Sequence, residues 1–353
     1  MFIDRTKFTY LSGRIRVLEM RLLNANQVER MIGAPNAHDA FHTLHELDFA
    51  PHISAEVKPA DFQDVLWKGM LGIKEFVEKQ IAYAWFLNIF WHVYDVHNIK
   101  VLLKAKHSEK SFEDVEALLV PLGAIKLDAL RAFIMEGHAK TSFGLRKKDE
   151  TILKDAIARA EAAFKKEKDP AELDFHLDAA YFTMALRSAK DIGSSCITRY
   201  IQQHIDFANI RAFMRIKLTG HEKRHFNEAF VEGGTLTKTF FLYYREENIE
   251  NFLTGLGRHN VSYALLVQRG YEYFEKHRSF FLLEKEMDDR HLEFALEAKK
   301  FAYGPEVVFA YVFAHENNAK IIRMILVSKL NGVPPEQIRK ELRHLYSWQS
   351  FKS

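Results

Sequence analysis

The sequence predicts an all-α protein built from three tandem helical repeats, and three observations support this fold class. Glycine (16 residues) and proline (8 residues) both fall below their usual shares of about 7% and 5% of a chain, so few positions interrupt a helix. No run of alternating apolar and polar residues indicates a β-strand. A polar motif recurs at a nearly constant spacing, which indicates an internal repeat.

Each repeat contains helical stretches separated by residues that break helices. In the first repeat, residues 10–31 and 36–47 have a helical pattern on either side of a Gly-Ala-Pro break. In the second and third repeats, residues 151–166 and 235–244 have the same pattern between glycine-containing turns. We therefore expect three all-helical domains joined by short connectors.

The most apolar stretch of the chain covers residues 81–94. These 14 residues include Asn88 and His92, and a membrane-spanning helix needs about 20 predominantly apolar residues. The stretch therefore predicts a buried core helix, and we expect no direct insertion of this protein into a membrane.

The repeat is clearest in two polar segments, which we expect to lie at the ends of the first and second repeats. Both read D-x-x-N-I-[KR]-x-[LF]-[LM]-[KR]-x-K, and their asparagines are 209 − 98 = 111 positions apart. The motif residues of the first copy are Asp95, Asn98, Ile99, Lys100 and Lys106, and those of the second are Asp206, Asn209, Ile210, Arg211 and Lys217.

A weaker third copy covers residues 318–329 and keeps four motif positions. Aligning its final lysine with that of the second copy places Ile321 where the asparagine stood, an offset of 321 − 209 = 112. The positions kept are Ile322, Arg323, Ile325 and Lys329. Tyr303-Gly304-Pro305-Glu306 has the pattern of a helix start, and Asn331-Gly332 that of a helix end. The three copies predict repeats at residues 1–110, 111–222 and 223–353.

The spacing of the motif predicts a structural role. On a helix, Asp95, Asn98 and Lys106 share one stripe. A buried asparagine needs partners for its amide, because an unpaired polar group costs about 1–3 kcal/mol. We expect those partners to be backbone groups at the end of a neighbouring helix, and we expect the aspartate to cap a helix N-terminus. Direct contact with a partner protein is the alternative, whereas an active site rarely needs three similar copies.

One segment matches a catalytic motif. His221, Glu222 and His225 form H-E-x-x-H, in which two histidines four residues apart on a helix bind zinc and the glutamate acts as general base. A zinc-dependent hydrolase is therefore the alternative function. Its context is unfavourable, because a Thr-Gly helix end precedes the motif and two basic residues lie inside it.

Other candidate sites are incomplete. His38, His42 and His45 share a helical face but have no cysteine or carboxylate set to complete a metal site. Residues 233–239 resemble a phosphate loop but lack the glycine before the lysine. We predict no catalytic residue, no metal and no cofactor, and we expect Cys196 to be a small buried residue.

The charge balance and the cysteine count restrict the partners and the compartment. Fifty basic and 47 acidic residues give a net charge of +3 without a long basic block, so we expect no nucleic-acid partner. A single cysteine cannot form an internal disulfide, and the first 16 residues contain no apolar signal segment. Both observations favour a cytoplasmic location.

The motif resembles an element of a known family. The two copies that begin at Asp95 and Asp206 are similar to the D-x-x-N-I-K-x-L-L-R-x-K element of the V-type ATP synthase C subunits, whose eukaryotic vacuolar ATPase counterpart is the d subunit. Tyr10, Arg14 and Arg16 are similar to the family's opening helix, and Tyr303-Gly304-Pro305-Glu306 begins a stretch similar to its closing segment. The resemblance covers essentially the whole chain.

This resemblance implies a fold and a role. The fold is a funnel of three helical domains related by a pseudo-threefold axis. The role is that of a non-catalytic central-stalk subunit, peripheral to the membrane. It joins the rotor shaft (the D and F subunits) to the membrane ring of a rotary motor that moves protons or sodium ions. Relatives carry no nucleotide or metal site of their own.

Overall fold

The computed structural model describes residues 3–53, 58–219 and 226–347. Throughout these residues all regular secondary structure is helical, and no β-strand occurs among them. This confirms the predicted all-α fold class. The α-helices are α1 (Thr9–Leu18), α2 (Ala25–Gly33), α3 (Ala37–His42), α4 (Phe62–Glu78), α5 (Asn88–His107), α6 (Leu127–Ile134), α7 (Lys147–Glu167), α8 (Ala171–Asp191), α9 (Ser195–Thr219), α10 (Phe226–Ala229), α11 (Lys238–Tyr243), α12 (Ile249–His259), α13 (Val261–His277), α14 (Phe281–Glu297), α15 (Pro305–Leu330) and α16 (Pro335–Glu341).

Short 3₁₀ helices lie between several of the α-helices. They cover Arg5–Phe8, Glu19–Arg21, Thr43–Glu46, Ala50–His52, Pro59–Asp61, Ala84–Leu87, Glu116–Leu118 and Ala298–Lys300. One of them divides the apolar stretch at residues 81–94, which the sequence predicts to be one core helix. Only its second half is α-helical, because α5 begins at Asn88.

The chain forms two compact units, which we name by their place in the sequence. The central unit is Trp85–Met287, and the terminal unit combines Phe2–Ala84 with Asp288–Ser353. The predicted repeats end at residues 110 and 222, inside the central unit. That division stays a prediction, because a repeat is defined by equivalent positions in the sequence and a compact unit by packing.

In the terminal unit, residues 10–31 do not form the single helical stretch that the sequence predicts. After α1 and the turn Glu19–Arg21, α2 begins with a capping box. The Asn24 side chain accepts from the Gln27 backbone N–H (3.0 Å), and the Gln27 side chain accepts from the Asn24 backbone N–H (3.0 Å). The prediction was wrong here because these reciprocal bonds satisfy two N–H groups at a new helix start.

The longest helix of the terminal unit, α15, begins and ends at the predicted positions. Gly304, with a φ of +135°, precedes Pro305 at the first helical position, and Asn331 follows the last turn. Glu306 in the first turn is 3% exposed and binds the guanidinium of Arg5 through both carboxylate oxygens (3.1 and 2.7 Å). This two-point contact attaches the start of α15 to the N-terminal segment of the same unit.

The core of the central unit is rich in phenylalanine. Phe213 on α9 lies among the rings of Phe226, Phe241 and Phe252, with ring centroids 4.6–5.7 Å apart. All four side chains are at most 2% exposed. Aromatic pairs at these separations stabilise a core beyond the effect of the buried area alone. The packing holds α9, which carries the second motif copy, against α10, α11 and α12.

Candidate functional site

The two motif asparagines make the same pair of hydrogen bonds. Asn98 on α5 is fully buried; its amide nitrogen donates to the carbonyl of Val120 (2.9 Å), and its amide oxygen accepts from the N–H of Val120 (2.8 Å). Asn209 on α9 is also fully buried and bonds both backbone groups of Val231 (2.8 Å each). In each copy the partner lies 22 residues further along the chain.

The two motif aspartates bind backbone N–H groups just before a helix. Asp95 accepts from the N–H groups of Ala124 (3.2 Å) and Ile125 (2.9 Å), which precede α6. Its carboxylate also contacts Nδ1 of the buried His92 at 2.8 Å. The Asp95 carboxylate therefore binds N–H groups of the connecting segment directly before Lys126, the N-cap of α6.

Asp206 occupies the equivalent position in the second copy. It accepts from the N–H groups of Thr235 (2.8 Å) and Leu236 (2.9 Å) and from the Thr235 hydroxyl (2.6 Å). These residues belong to the segment 233–239, which resembles a phosphate loop in sequence. The anion that its N–H groups bind is the Asp206 carboxylate. Burial raises the pKa of Asp206, and the hydrogen bonds from Leu236 and Thr235 oppose that rise.

Glycine is required where each aspartate meets the backbone. A Cβ atom on Gly123 would lie 2.2 Å from Oδ1 of Asp95, and a Cβ on Gly234 would lie 2.2 Å from Oδ1 of Asp206. The two glycines are 234 − 123 = 111 positions apart, the spacing of the motif itself. In the sequence alone these glycines indicate only helix breaks, although their spacing matches that of the aspartates.

Two of the three lysines that end the motif copies cap the C-terminal end of a helix. Lys217 donates to the carbonyls of Tyr244 and Arg245 (3.0 Å each) after α11. Lys329 donates to the carbonyl of Ala34 (2.6 Å) after α2. A cation is favourable there because the last carbonyls of a helix lack intrahelical donors.

The remaining basic motif residues differ between the copies. Lys106 forms an ion pair with Glu161 (2.7 Å), and Lys100 forms one with Asp178 (2.7 Å). Arg323 donates to the Gln63 side chain (2.9 Å), and Arg211 is exposed. The isoleucines next to these residues are fully buried: Ile99, Ile210 and Ile322.

In the third copy, Asn318 contacts the backbone just before a helix. In the amide orientation that satisfies both of its polar atoms, Asn318 accepts from the N–H of Leu23 (3.0 Å) and donates to the carbonyl of Ala314 (3.3 Å). Leu23 directly precedes the N-cap of α2, just as the partners of Asp95 and Asp206 directly precede the N-caps of α6 and α11, so Asn318 occupies the place of the motif aspartates. Its distance from Lys329 is the distance from Asp206 to Lys217, since 329 − 318 = 11 and 217 − 206 = 11.

A buried histidine precedes Asn318 on α15. His315 lies three residues before Asn318, as His92 lies three residues before Asp95, and it is 3% exposed. Its ring packs against Tyr311, with ring centroids 4.5 Å apart, and its Nε2 lies 3.9 Å from the Asp48 carboxylate.

We expect His315 to make the terminal unit sensitive to acid. Burial lowers the pKa of His315 from 6.5 to about 3, so between these values the unfolded chain binds a proton that the folded chain does not. The free energy of unfolding should therefore fall as the pH falls, by about 2 kcal/mol from pH 7 to pH 5. Urea denaturation across this range should show a shallower pH dependence for His315→Met than for the wild type.

The exposed His38 provides the control for this prediction. Its side chain is 66% exposed, so His38→Gln should leave the pH dependence of unfolding close to that of the wild type. Parallel stability curves for the wild type and His315→Met would contradict the prediction.

The remaining sequence candidates do not form a site in the described part of the chain. His221, Glu222 and His225 lie outside the described residues. His38, His42 and His45 are exposed, with neighbouring ring centroids 4.6 and 5.5 Å apart. Among the residues that the structure describes, no group of three or more His, Cys, Asp or Glu side chains is arranged to hold a metal ion. Cys196 is buried.

No helix within residues 3–53, 58–219 and 226–347 is both long and apolar enough to cross a membrane.

The motif side chains bind the protein's own backbone and side chains, and this supports the structural interpretation of the motif. Sequence reasoning missed several of their partners. His92 and Thr235 escaped notice because no pattern in the sequence marks a side chain that bonds a buried carboxylate.

Comparison with known proteins gives a consistent result. A sequence model of the ATP synthase (C/AC39) subunit family matches residues 11–341. The chain is 23% identical to the A-type ATP synthase C subunit of Methanocaldococcus jannaschii, over 97% of this chain and 88% of the relative. It is 22% identical to the V-type sodium ATPase C subunit of Enterococcus hirae, over 95% of this chain and 98% of the relative.

Proposed function

The chain belongs to the ATP synthase (C/AC39) subunit family, and from this premise we propose that it joins the central shaft of a rotary ATPase to the ring of ion-carrying subunits in the membrane. The observation that carries the proposal is the extent of the match, which includes all three motif copies within residues 11–341. The relatives from M. jannaschii and E. hirae are named as C subunits of an ATP synthase and of a sodium ATPase, each similar over nearly its whole length.

The contacts of the motif support a mechanical role without catalysis. Asn98 and Asn209 each connect a closing helix to a segment of the next predicted repeat, at Val120 and Val231. Buried, fully paired polar groups resist rearrangement because opening them leaves several groups without partners. A subunit that transmits torque needs such stiffness. The family match gives no support to the zinc-hydrolase interpretation.

The finer parts of the proposal follow from the family resemblance. The repeats 1–110, 111–222 and 223–353 form three helical domains related by a pseudo-threefold axis, and together they make a funnel. The shaft, made of the D and F subunits, enters this funnel, and the opposite side rests on the ring. The protein then lies in the cytoplasm at the membrane surface. Co-purification of a tagged chain with the shaft and ring subunits tests this arrangement.

Attachment to the ring should weaken steeply with salt. One copy of this protein meets many identical ring subunits, so three similar domains cannot make the same packed contact with each of them. A contact that tolerates this mismatch depends on charged side chains and water. The Debye length falls from about 10 Å at 0.1 M salt to about 3 Å at 1 M, which screens such charges. Co-sedimentation with the detergent-solubilised ring across this range should show the loss.

The isolated chain provides the control for the salt series. Its free energy of unfolding should change little, because the buried motif hydrogen bonds of Asn98 and Asn209 are poorly accessible to ions. Binding to the ring that stays constant or becomes stronger at 1 M salt would indicate a mainly apolar interface and contradict the prediction. A chain that never co-purifies with the ring or the shaft would instead contradict the proposed function.

A further inference from the structure

Helix α1 and the 3₁₀ helix Glu19–Arg21 that follows it present an exposed apolar stripe, which we call the α1 seam and define as Tyr10, Gly13, Val17 and Met20. Tyr10 is 68%, Val17 67% and Met20 85% exposed. The four residues follow one another at intervals of three, four and three positions, the spacing of the contact positions of a coiled coil. Large apolar side chains this exposed, on the same side of α1 and of the 3₁₀ helix after it, indicate a surface that another helix covers.

The opposite face of α1 is fixed in the core of the terminal unit. Leu11 and Ile15 are fully buried, and Ser12 is 1% exposed. The seam therefore cannot turn inward. At its middle, a Cβ on Gly13 would have no atom within 4 Å, so the helix surface is open there. An open glycine position lets a second helix approach the backbone closely.

Basic residues lie beside the seam. Arg14 lies on α1 next to the contact positions Gly13 and Val17, and Lys7 and Arg21 lie on the 3₁₀ helices that precede and follow α1. The guanidinium of Arg14 lies over the rings of Tyr10 (5.7 Å) and Phe76 (4.9 Å), not against a carboxylate.

The acidic residues near the seam do not neutralise its basic side chains. Arg21 has only a distant acidic neighbour, with 3.9 Å between its Nη1 and Oδ1 of Asp48. The acid on this face, Glu19, is already bound to Arg16 (3.0 Å). The flank of the seam is thus positively charged and available for acidic side chains.

We propose that the α1 seam docks an amphipathic helix of a partner protein that carries acidic residues beside its apolar contact positions. Flanking charges decide which helices pair, and like charges facing each other destabilise a pair. A second copy of this chain would bring Arg14 and Arg21 close to positively charged side chains of the other copy, and this repulsion disfavours self-association. A membrane-surface helix needs a wide apolar face, whereas the wide apolar face of α1 is in the core. The inference goes beyond the proposed function and does not depend on attachment to the ring.

Two synthetic peptides of three heptads test the charge rule on the purified full-length chain. Both have leucine at the contact positions; one has glutamate and the other lysine at the flanking positions. Fluorescence anisotropy should show binding of the glutamate peptide at least about tenfold tighter, because each of three exposed pairs changes affinity by a factor of about two in either direction. Raising the salt concentration should reduce this difference.

Variants place the binding at the seam. Val17→Glu and Met20→Glu should each weaken binding of the glutamate peptide at least about tenfold, whereas Val261→Glu, at an exposed valine on α13, should not (65% exposed). The double variant Arg14→Glu with Arg21→Glu should reverse the preference and favour the lysine peptide. All these positions are exposed, so thermal unfolding should change little. Equal affinity for both peptides, or no effect of Val17→Glu, would overturn the proposal.

A photo-crosslinking residue in place of Met20 tests the occupant in the intact complex. The expected product is an adduct with an acidic, amphipathic helical segment of another protein of the complex, located by mass spectrometry of the crosslinked peptide. The same crosslinker in place of Val261 is the control and should not reach that segment. Adducts with a second copy, with this chain itself or with lipid, or no adduct in an assembled complex, would overturn the proposal. Those results leave the proposed attachment to shaft and ring unaffected.

Discussion

Replacing Asn98 or Asn209 by leucine is expected to lower the free energy of unfolding by about 2–5 kcal/mol. Each substitution leaves one N–H and one C=O group of Val120 or Val231 without a partner inside the protein. An unpaired buried polar group costs about 1–3 kcal/mol, and here two groups lose their partner at once. Urea denaturation followed by circular dichroism at pH 7 measures the change.

Asn26 provides the matched control, because it lies exposed on α2. Asn26→Leu should change the free energy of unfolding by no more than about 0.5 kcal/mol. Asn318→Leu should cost less, about 1–3 kcal/mol, because Asn318 bonds only one backbone group of another segment, the N–H of Leu23. Near-neutral results for both Asn98→Leu and Asn209→Leu would mean that the motif acts on a partner protein instead of on its own backbone.

Replacing Gly123 or Gly234 by alanine should destabilise the central unit by about 3 kcal/mol or more. The new Cβ atom would lie 2.2 Å from a carboxylate oxygen of Asp95 or Asp206, so that carboxylate must move. Its movement breaks two hydrogen bonds to backbone N–H groups in a buried site, in addition to the strain of overpacking. Thermal and urea unfolding of the single variants measure the effect.

Two further variants separate this mechanism from a general effect of alanine. Gly13→Ala should raise the free energy of unfolding by up to about 1 kcal/mol, because it adds a helix-favouring side chain in open space. In the double variant Gly123→Ala with Asp95→Ala, the clash is absent, so the combined loss should be smaller than the sum of the two single losses. Additive losses would show that the carboxylate does not restrict the glycine position.

Local signals were sufficient for much of the fold. The scarcity of glycine and proline predicted the all-α class, and the Gly-Pro-Glu start and the Asn-Gly end of α15 placed that helix correctly. These signals act within one or two turns of the backbone, so a single sequence contains them in full. The same locality explains an error at residues 10–31, where the apolar pattern continues although Asn24 begins a new helix.

The motif illustrates the division between sequence and tertiary structure most directly. The sequence by itself determined that the two copies at Asn98 and Asn209 are equivalent, because residue type and spacing are sequence properties. Only the tertiary structure identified the partners in the third copy. Asn318, which takes the place of the aspartate, bonds Leu23, a residue 295 positions earlier in the chain, and no pattern in the sequence marks that contact.

The remaining features divide in the same way, into those that depend on residue order and those that depend on contacts between distant segments. Helix content, the motif pattern and the family are determined by the sequence alone, because they depend on residue order. The partner of each buried polar group, the lowered pKa of His315 and the exposure of Tyr10, Val17 and Met20 depend on which distant segments pack together. An apolar residue on a helix has the same local pattern whether its own core or another protein covers it, so only the packing distinguishes the two.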